Sequence, residues 1–79
     1  MIFIQRILLE CINRGWSFRY DTDYKWLRIR YVVGDDFDDL FYCISDAYPA
    51  YVEFKELIGM VDNDAAMSEV KDYLTKPPF

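Results

Sequence analysis

The apolar residues of this 79-residue chain change their period twice, and that change restricts the fold more than any other feature of the sequence. From residue 2 to residue 14 they fall at helical spacing, with Ile4, Ile7, Leu8, Cys11 and Ile12 on one side and Gln5, Arg6, Glu10, Asn13 and Arg14 largely on the other. Gly15 follows as the stop, because glycine takes the left-handed conformation that closes a helix at no steric cost. The period then drops to two. Trp16, Phe18 and Tyr20 alternate with Ser17, Arg19 and Asp21, and Leu27, Ile29, Tyr31 and Val33 alternate with Trp26, Arg28, Arg30 and Val32. This predicts two strands joined by a short turn at Thr22 and Asp23. With Asp21 opposite Tyr24, Phe18 faces Leu27 and Trp16 faces Ile29, so the apolar sets of both strands share one side beneath the first helix.

Residues 34–39 read as a polar break carrying four carboxylates, Asp35, Asp36, Asp38 and Asp39. After it Leu40, Tyr42 and Ile44 alternate as a third strand would, while Phe37, Leu40, Phe41 and Ile44 also fit a helix; the β-forming residues Phe-Tyr-Cys-Ile favour the strand. Helical spacing returns after Pro49, with Tyr51, Phe54, Ile58 and Val61 up to a break at Asp62-Asn63. A last stripe of Ala66, Met67, Val70, Tyr73 and Leu74 is predicted to be capped by Asn63 or Asp64 and stopped by Pro77-Pro78. The expected fold is α+β, an N-terminal helix, a three-stranded antiparallel sheet and two C-terminal helices, in one domain spanning residues 1–79.

A chain this short has little apolar surface to bury, and the 19% of aromatic residues supply it in few positions. Cys11 and Cys43 are too few and too far apart for a zinc site, and both are expected as reduced thiols that fill apolar segments. That pattern points to a reducing, cytoplasmic setting. The run Met1-Ile2-Phe3-Ile4 is broken by Gln5 and Arg6, so no signal-peptide core is expected, and no stretch is apolar for long enough to span a bilayer.

Histidine is absent, which removes the commonest general base and the base of the usual serine and cysteine triads. The three glycines, at 15, 34 and 59, form no phosphate-binding loop. Calcium-loop spacing also fails: counted from Asp36, Leu40 falls at the fifth position and Ala47 at the twelfth, where a carboxylate is required. No enzyme activity, cofactor or metal is expected.

Charge is unevenly spread. Residues 1–33 carry six basic and three acidic groups, net +3, and residues 34–79 carry three basic and eleven acidic groups, net −8. The acidic half suits a partner with a basic surface, and Asp35, Asp36, Asp38, Asp39, Asp46, Glu53 and Glu56 are the candidate contacts, with Phe37, Tyr48 and Tyr51 as nearby anchors. The alternative surface is the outer face of the first hairpin, where Arg19, Trp26, Arg28 and Arg30 combine guanidinium groups with an indole as RNA-binding sheets do. In the expected register Arg19 stands opposite Trp26 as a cation–π pair. A structural subunit or homodimer is the third alternative, and direct nucleic-acid binding is disfavoured by the net charge of −5.

In element order and in its acidic second half the chain resembles the small acidic inhibitors encoded by bacteriophages, including some type II-A anti-CRISPR proteins. The resemblance covers most of the chain in layout and involves no shared motif; the basic first half departs from a uniform nucleic-acid mimic. It implies a non-enzymatic inhibitor, acting in the host cytoplasm, that occludes a basic groove on a host nuclease or other nucleic-acid-binding protein.

Overall fold

The computed structural model describes residues 2–75. The element order is α1 (Ile2–Arg14), β1 (Phe18–Asp21), β2 (Trp26–Val33), β3 (Asp36–Cys43), a 3-10 turn (Ile44–Asp46), α2 (Ala47–Asp62) and α3 (Met67–Thr75). The strands form one antiparallel sheet in the order β1-β2-β3. This is the α+β layout that the change of period implies. The stop at Pro77-Pro78 lies outside the described residues.

The helices lie on one face of the sheet, and the buried side chains form one contiguous cluster. Ile4, Ile7 and Cys11 come from α1, Ala50, Phe54 and Leu57 from α2, and Val70 from α3. The sheet contributes Leu27, Ile29, Tyr31 and Val33 from β2 with Leu40 and Tyr42 from β3. Ile12, grouped with the core by its spacing, is 60% exposed and lies outside the buried cluster, at the rim of the α1 stripe set by Ile4, Ile7 and Cys11. Gly15 closes α1 at φ 74°, and Trp16 N–H returns to the Cys11 carbonyl at 2.8 Å, which sets the indole edge-on against Phe54. Arg14 ties the C-terminal ends of α1 and α2 together by bonding Glu10 at 2.7 Å and Asp62 at 2.8 Å while lying over the Trp16 ring.

The first hairpin is slipped by two residues from the expected register. Phe18 faces Ile29 rather than Leu27, Tyr20 faces Leu27, and Arg19 faces Arg28 rather than Trp26. The turn is the reason. Asp21 Oδ1 accepts the backbone N–H groups of Asp23 and Tyr24 at 3.0 Å each, and Lys25 takes φ 60°, so the loop spans residues 22–25 rather than 22–23. An even slip preserves the faces, so Leu27 and Ile29 are buried as expected. Phe18, carried outward on the edge strand, keeps 36% of its surface exposed and is not a core residue.

The polar break at 34–39 is mostly strand. The turn consists of Gly34 and Asp35 alone, with Gly34 at φ 63° in the position where a type II′ turn requires a positive angle, and β3 begins at Asp36. The strand outweighs the helix for residues 40–43, and Ile44 belongs to the 3-10 turn. Helix α2 starts at Ala47, ahead of Pro49, because a proline in a first turn lacks only an N–H that would have no partner there. Asn63 and Asp64 end α2 instead of capping α3: Asn63 Nδ2 donates to the Gly59 carbonyl at 2.8 Å, and Asp64 turns the chain at φ 60°.

Candidate functional site

Strand alternation sends every second residue of the sheet away from the helices. In β2 these are Trp26, Arg28, Arg30 and Val32. The register places Arg19 of β1 and Phe41 of β3 on either side of Arg28, Asp21 and Cys43 on either side of Trp26, Asp39 beside Arg30 and Phe37 beside Val32. Nothing among the described residues covers this face. Trp26 is 46% exposed, Phe41 59% and Phe37 60%, a surface that a protein of this size does not leave bare without consequence. At one end Arg19, Asp21, Tyr24, Trp26, Arg28 and Phe41 line an open depression of about 620 Å³.

The three arginines of this face are in different states. Arg30 Nε donates to Asp39 Oδ1 at 3.0 Å, and its guanidinium lies 5.0 Å from the centre of the Phe37 ring. The hydrogen bond from Arg30 holds the Asp39 carboxyl below the usual carboxylate range, with the charges of Arg30 and Arg28 adding to it, and Arg30 is raised in turn. Arg19 and Arg28 form no salt bridge and no side-chain hydrogen bond among the described residues. Their donors are open to a ligand. The Arg19–Trp26 cation–π pair is absent, because the slipped register sets Asp21 opposite the indole.

The seven carboxylates singled out as partner contacts are not gathered on one face. Asp35 sits in the hairpin turn, Asp36 and Asp38 point to the helix side of β3, and Asp39 points to the open side. Asp38 lies 3.5 Å from Lys71 of α3 and also accepts the backbone N–H of Asp39 at 2.8 Å. Asp46 is at the opposite end of β3, on the order of 25 Å from the hairpin turn at 3.3 Å per residue. Glu53 is half-buried, and burial raises its carboxyl, an effect that the Tyr42 phenol opposes. That phenol is itself buried; Glu53 is near enough to raise it further but completes no hydrogen bond of good geometry with it. Glu56 belongs to a separate depression of about 610 Å³ at the α2–α3 junction, shared with Asp64 and Glu69. Tyr48 and Tyr51 pack on Phe3, with ring centres 5.1 and 5.2 Å away, far from the acidic hairpin.

Both cysteines are free thiols. Burial, followed by the Glu10 charge, pushes Cys11 up to about 11, while Cys43 Sγ lies 2.9 Å from Ser45 Oγ and is lowered by that contact. Among the described residues no cluster of Cys, Asp or Glu is arranged to hold a metal ion, and no helix is long and apolar enough to cross a membrane.

Tyr24 and Phe41 are the aromatic residues of the depression that the sequence did not single out for it. The Gly34-Asp35 turn was the available signal, because a two-residue connection forces Phe41 opposite Arg28. Comparison of the chain with protein-family models, with curated proteins and with solved structures finds no match.

Proposed function

We propose that this chain is a non-enzymatic binding protein whose open sheet face holds single-stranded nucleic acid. The observation that carries the reading is the company of Arg28: unpaired Arg19 on one side, exposed Phe41 on the other, and exposed Trp26 two residues along the same strand. Unstacked bases lie flat on aromatic rings, with about 1–3 kcal/mol per base, and a guanidinium fork fits a phosphate. The face supplies both at neighbouring positions. Most of the carboxylates that give the chain its net charge of −5 lie on β3, the hairpin tip and the helices, where they slow approach; Asp21 is the one carboxylate lining the depression, beside Arg19 and Arg28.

Titration of a short fluorescent single strand by anisotropy tests this. Arg28→Gln and Trp26→Ala are each expected to weaken binding roughly tenfold, consistent with one lost phosphate or stacking contact. Lys55→Gln, on the helix side, is expected to leave it unchanged. Two phosphate contacts give a shallow salt slope, about −1.4 in log–log form. Failure of the parent protein to bind the strand, or equal binding by all three variants, refutes the reading.

A second reading is favoured by the hairpin tip, where Asp35 and Asp36 are exposed and in no salt bridge among the described residues. There the chain would act as the resemblance to phage inhibitors implies, setting carboxylates against the basic surface of a host protein. Replacing Asp35, Asp36, Asp38 and Asp39 by Asn would then slow association with that protein and flatten its salt dependence. An unaltered on-rate counts against it.

A further inference from the structure

We propose that two copies of this chain pair edge to edge through β1, joining their sheets into one of six strands with both open faces on the same side. The pairing draws Arg19 into the seam and leaves Arg28, Trp26 and Phe41 to the open face.

The sheet has two edges, and they are not equivalent. On the β3 edge, the Asp39 N–H is bound at 2.8 Å by the carboxylate of Asp38, so the strand blocks part of its own edge. On the β1 edge none of the four side chains is buried, and Phe18 and Tyr20 keep 36% of their surface each on the helix side. β1 is a strand with one partner and two wet faces.

Its direction of bonding is fixed. Arg30 N–H donates to the Ser17 carbonyl at 2.9 Å, so Ser17, Arg19 and Asp21 turn their backbone groups to β2, and Phe18 and Tyr20 turn theirs to the free edge. A second β1 approaching antiparallel about a two-fold axis normal to the sheet keeps the faces matched only in registers where like-facing residues meet. The register with Tyr20 opposite Tyr20 of the second copy satisfies each requirement. The two tyrosines exchange their outward N–H and C=O groups as a hydrogen-bonded pair. Arg19 then falls opposite the second copy's Asp21, and Asp21 opposite its Arg19, at the closer non-hydrogen-bonded positions where side-chain pairs interact most. Shifting the centre by one residue, to Arg19, sets like charges against each other. The strand is self-complementary in charge in one register.

Such pairing covers Tyr20 and Phe18 and neutralises the seam, leaving Arg28, Trp26 and Phe41 of each copy facing outward on a doubled surface. The experiment is sedimentation equilibrium of the full chain, without ligand, from low to high micromolar concentration. The mass is expected to move from one chain to two. Arg19→Glu opposes carboxylates at both symmetric positions and is expected to weaken association roughly tenfold or more, with the fold intact because Arg19 is exposed. Tyr20→Pro removes the outward N–H without taking a bond from the β1–β2 ladder and is expected to leave a folded monomer by circular dichroism. In a Cys43→Ser background, Tyr20→Cys is expected to oxidise to a covalent dimer, since directly opposed residues about 5.5 Å apart suit a disulfide, and Ser17→Cys is not. A monomer at every concentration, or a dimer that survives both Arg19→Glu and Tyr20→Pro, overturns the proposal.

Discussion

Glu53 and Tyr42 show what a small core does to polar atoms it cannot fully serve. Burial raises the Glu53 carboxyl above its unfolded value, so the folded chain holds that proton more tightly than the unfolded one. The associated stabilisation is complete below the unfolded value, about 4.3, and is lost as pH rises through the folded value. At neutral pH the ionised Glu53 therefore costs stability. Glu53→Gln is expected to raise the urea midpoint at pH 7 and to lose that advantage as the pH falls below about 4. Equal midpoints for parent and variant at pH 7 would show that the carboxylate is solvated after all. Neither side chain announced this in the sequence, where Glu53 read as one exposed carboxylate among seven. Its partner Tyr42 is distant in the chain and near only through the packing of α2 on β3.

At the scale of elements, the period of the apolar residues located α1, β2 and the two C-terminal helices, because each buries a single face and its pattern repeats along the element. Turn lengths were less legible. The first hairpin turned on an Asp21 side chain that binds two N–H groups, a local choice between a two-residue and a four-residue loop that the strand pattern does not make. The acidic segment read as a loop for its polarity, yet Asp36, Asp38 and Asp39 lie in an edge strand, where carboxylates meet Lys71, Arg30 or water. The slip in register changes an energetic expectation as well. Phe18→Ala, on the exposed edge, is expected to cost about 1 kcal/mol, whereas Leu27→Ala, fully buried in the central strand, should cost about 3 kcal/mol or more. Chemical denaturation of the two variants compares them directly. Equal losses would place Phe18 in the core and restore the tighter hairpin.

At the scale of the molecule, three helices cover one side of a three-stranded sheet and leave the other bare. Arg19, Trp26, Arg28 and Arg30 were legible as one face from alternation alone. Tyr24 and Phe41, which complete the depression, required the hairpin geometry. The grouping of carboxylates by their proximity in sequence failed for the same reason, since neighbours in a strand point to opposite faces. What distinguishes the open face is that the rings of Trp26 and Phe41 stand exposed and the guanidinium groups of Arg19 and Arg28 are in no salt bridge among the described residues. The two indoles of the protein provide an internal control for whether that face is used: Trp16 is buried against Phe54, and Trp26 is exposed beside Arg28. The most direct measurement is a proton–nitrogen correlation spectrum of the labelled protein during titration with a short single-stranded oligonucleotide. The Trp26 indole N–H and the amides of residues 26–30 and 39–43 are expected to shift together while the Trp16 indole stays in place. An unmoved Trp26 signal at saturating oligonucleotide, or shifts confined to α2 and α3, would contradict the open face as the binding surface.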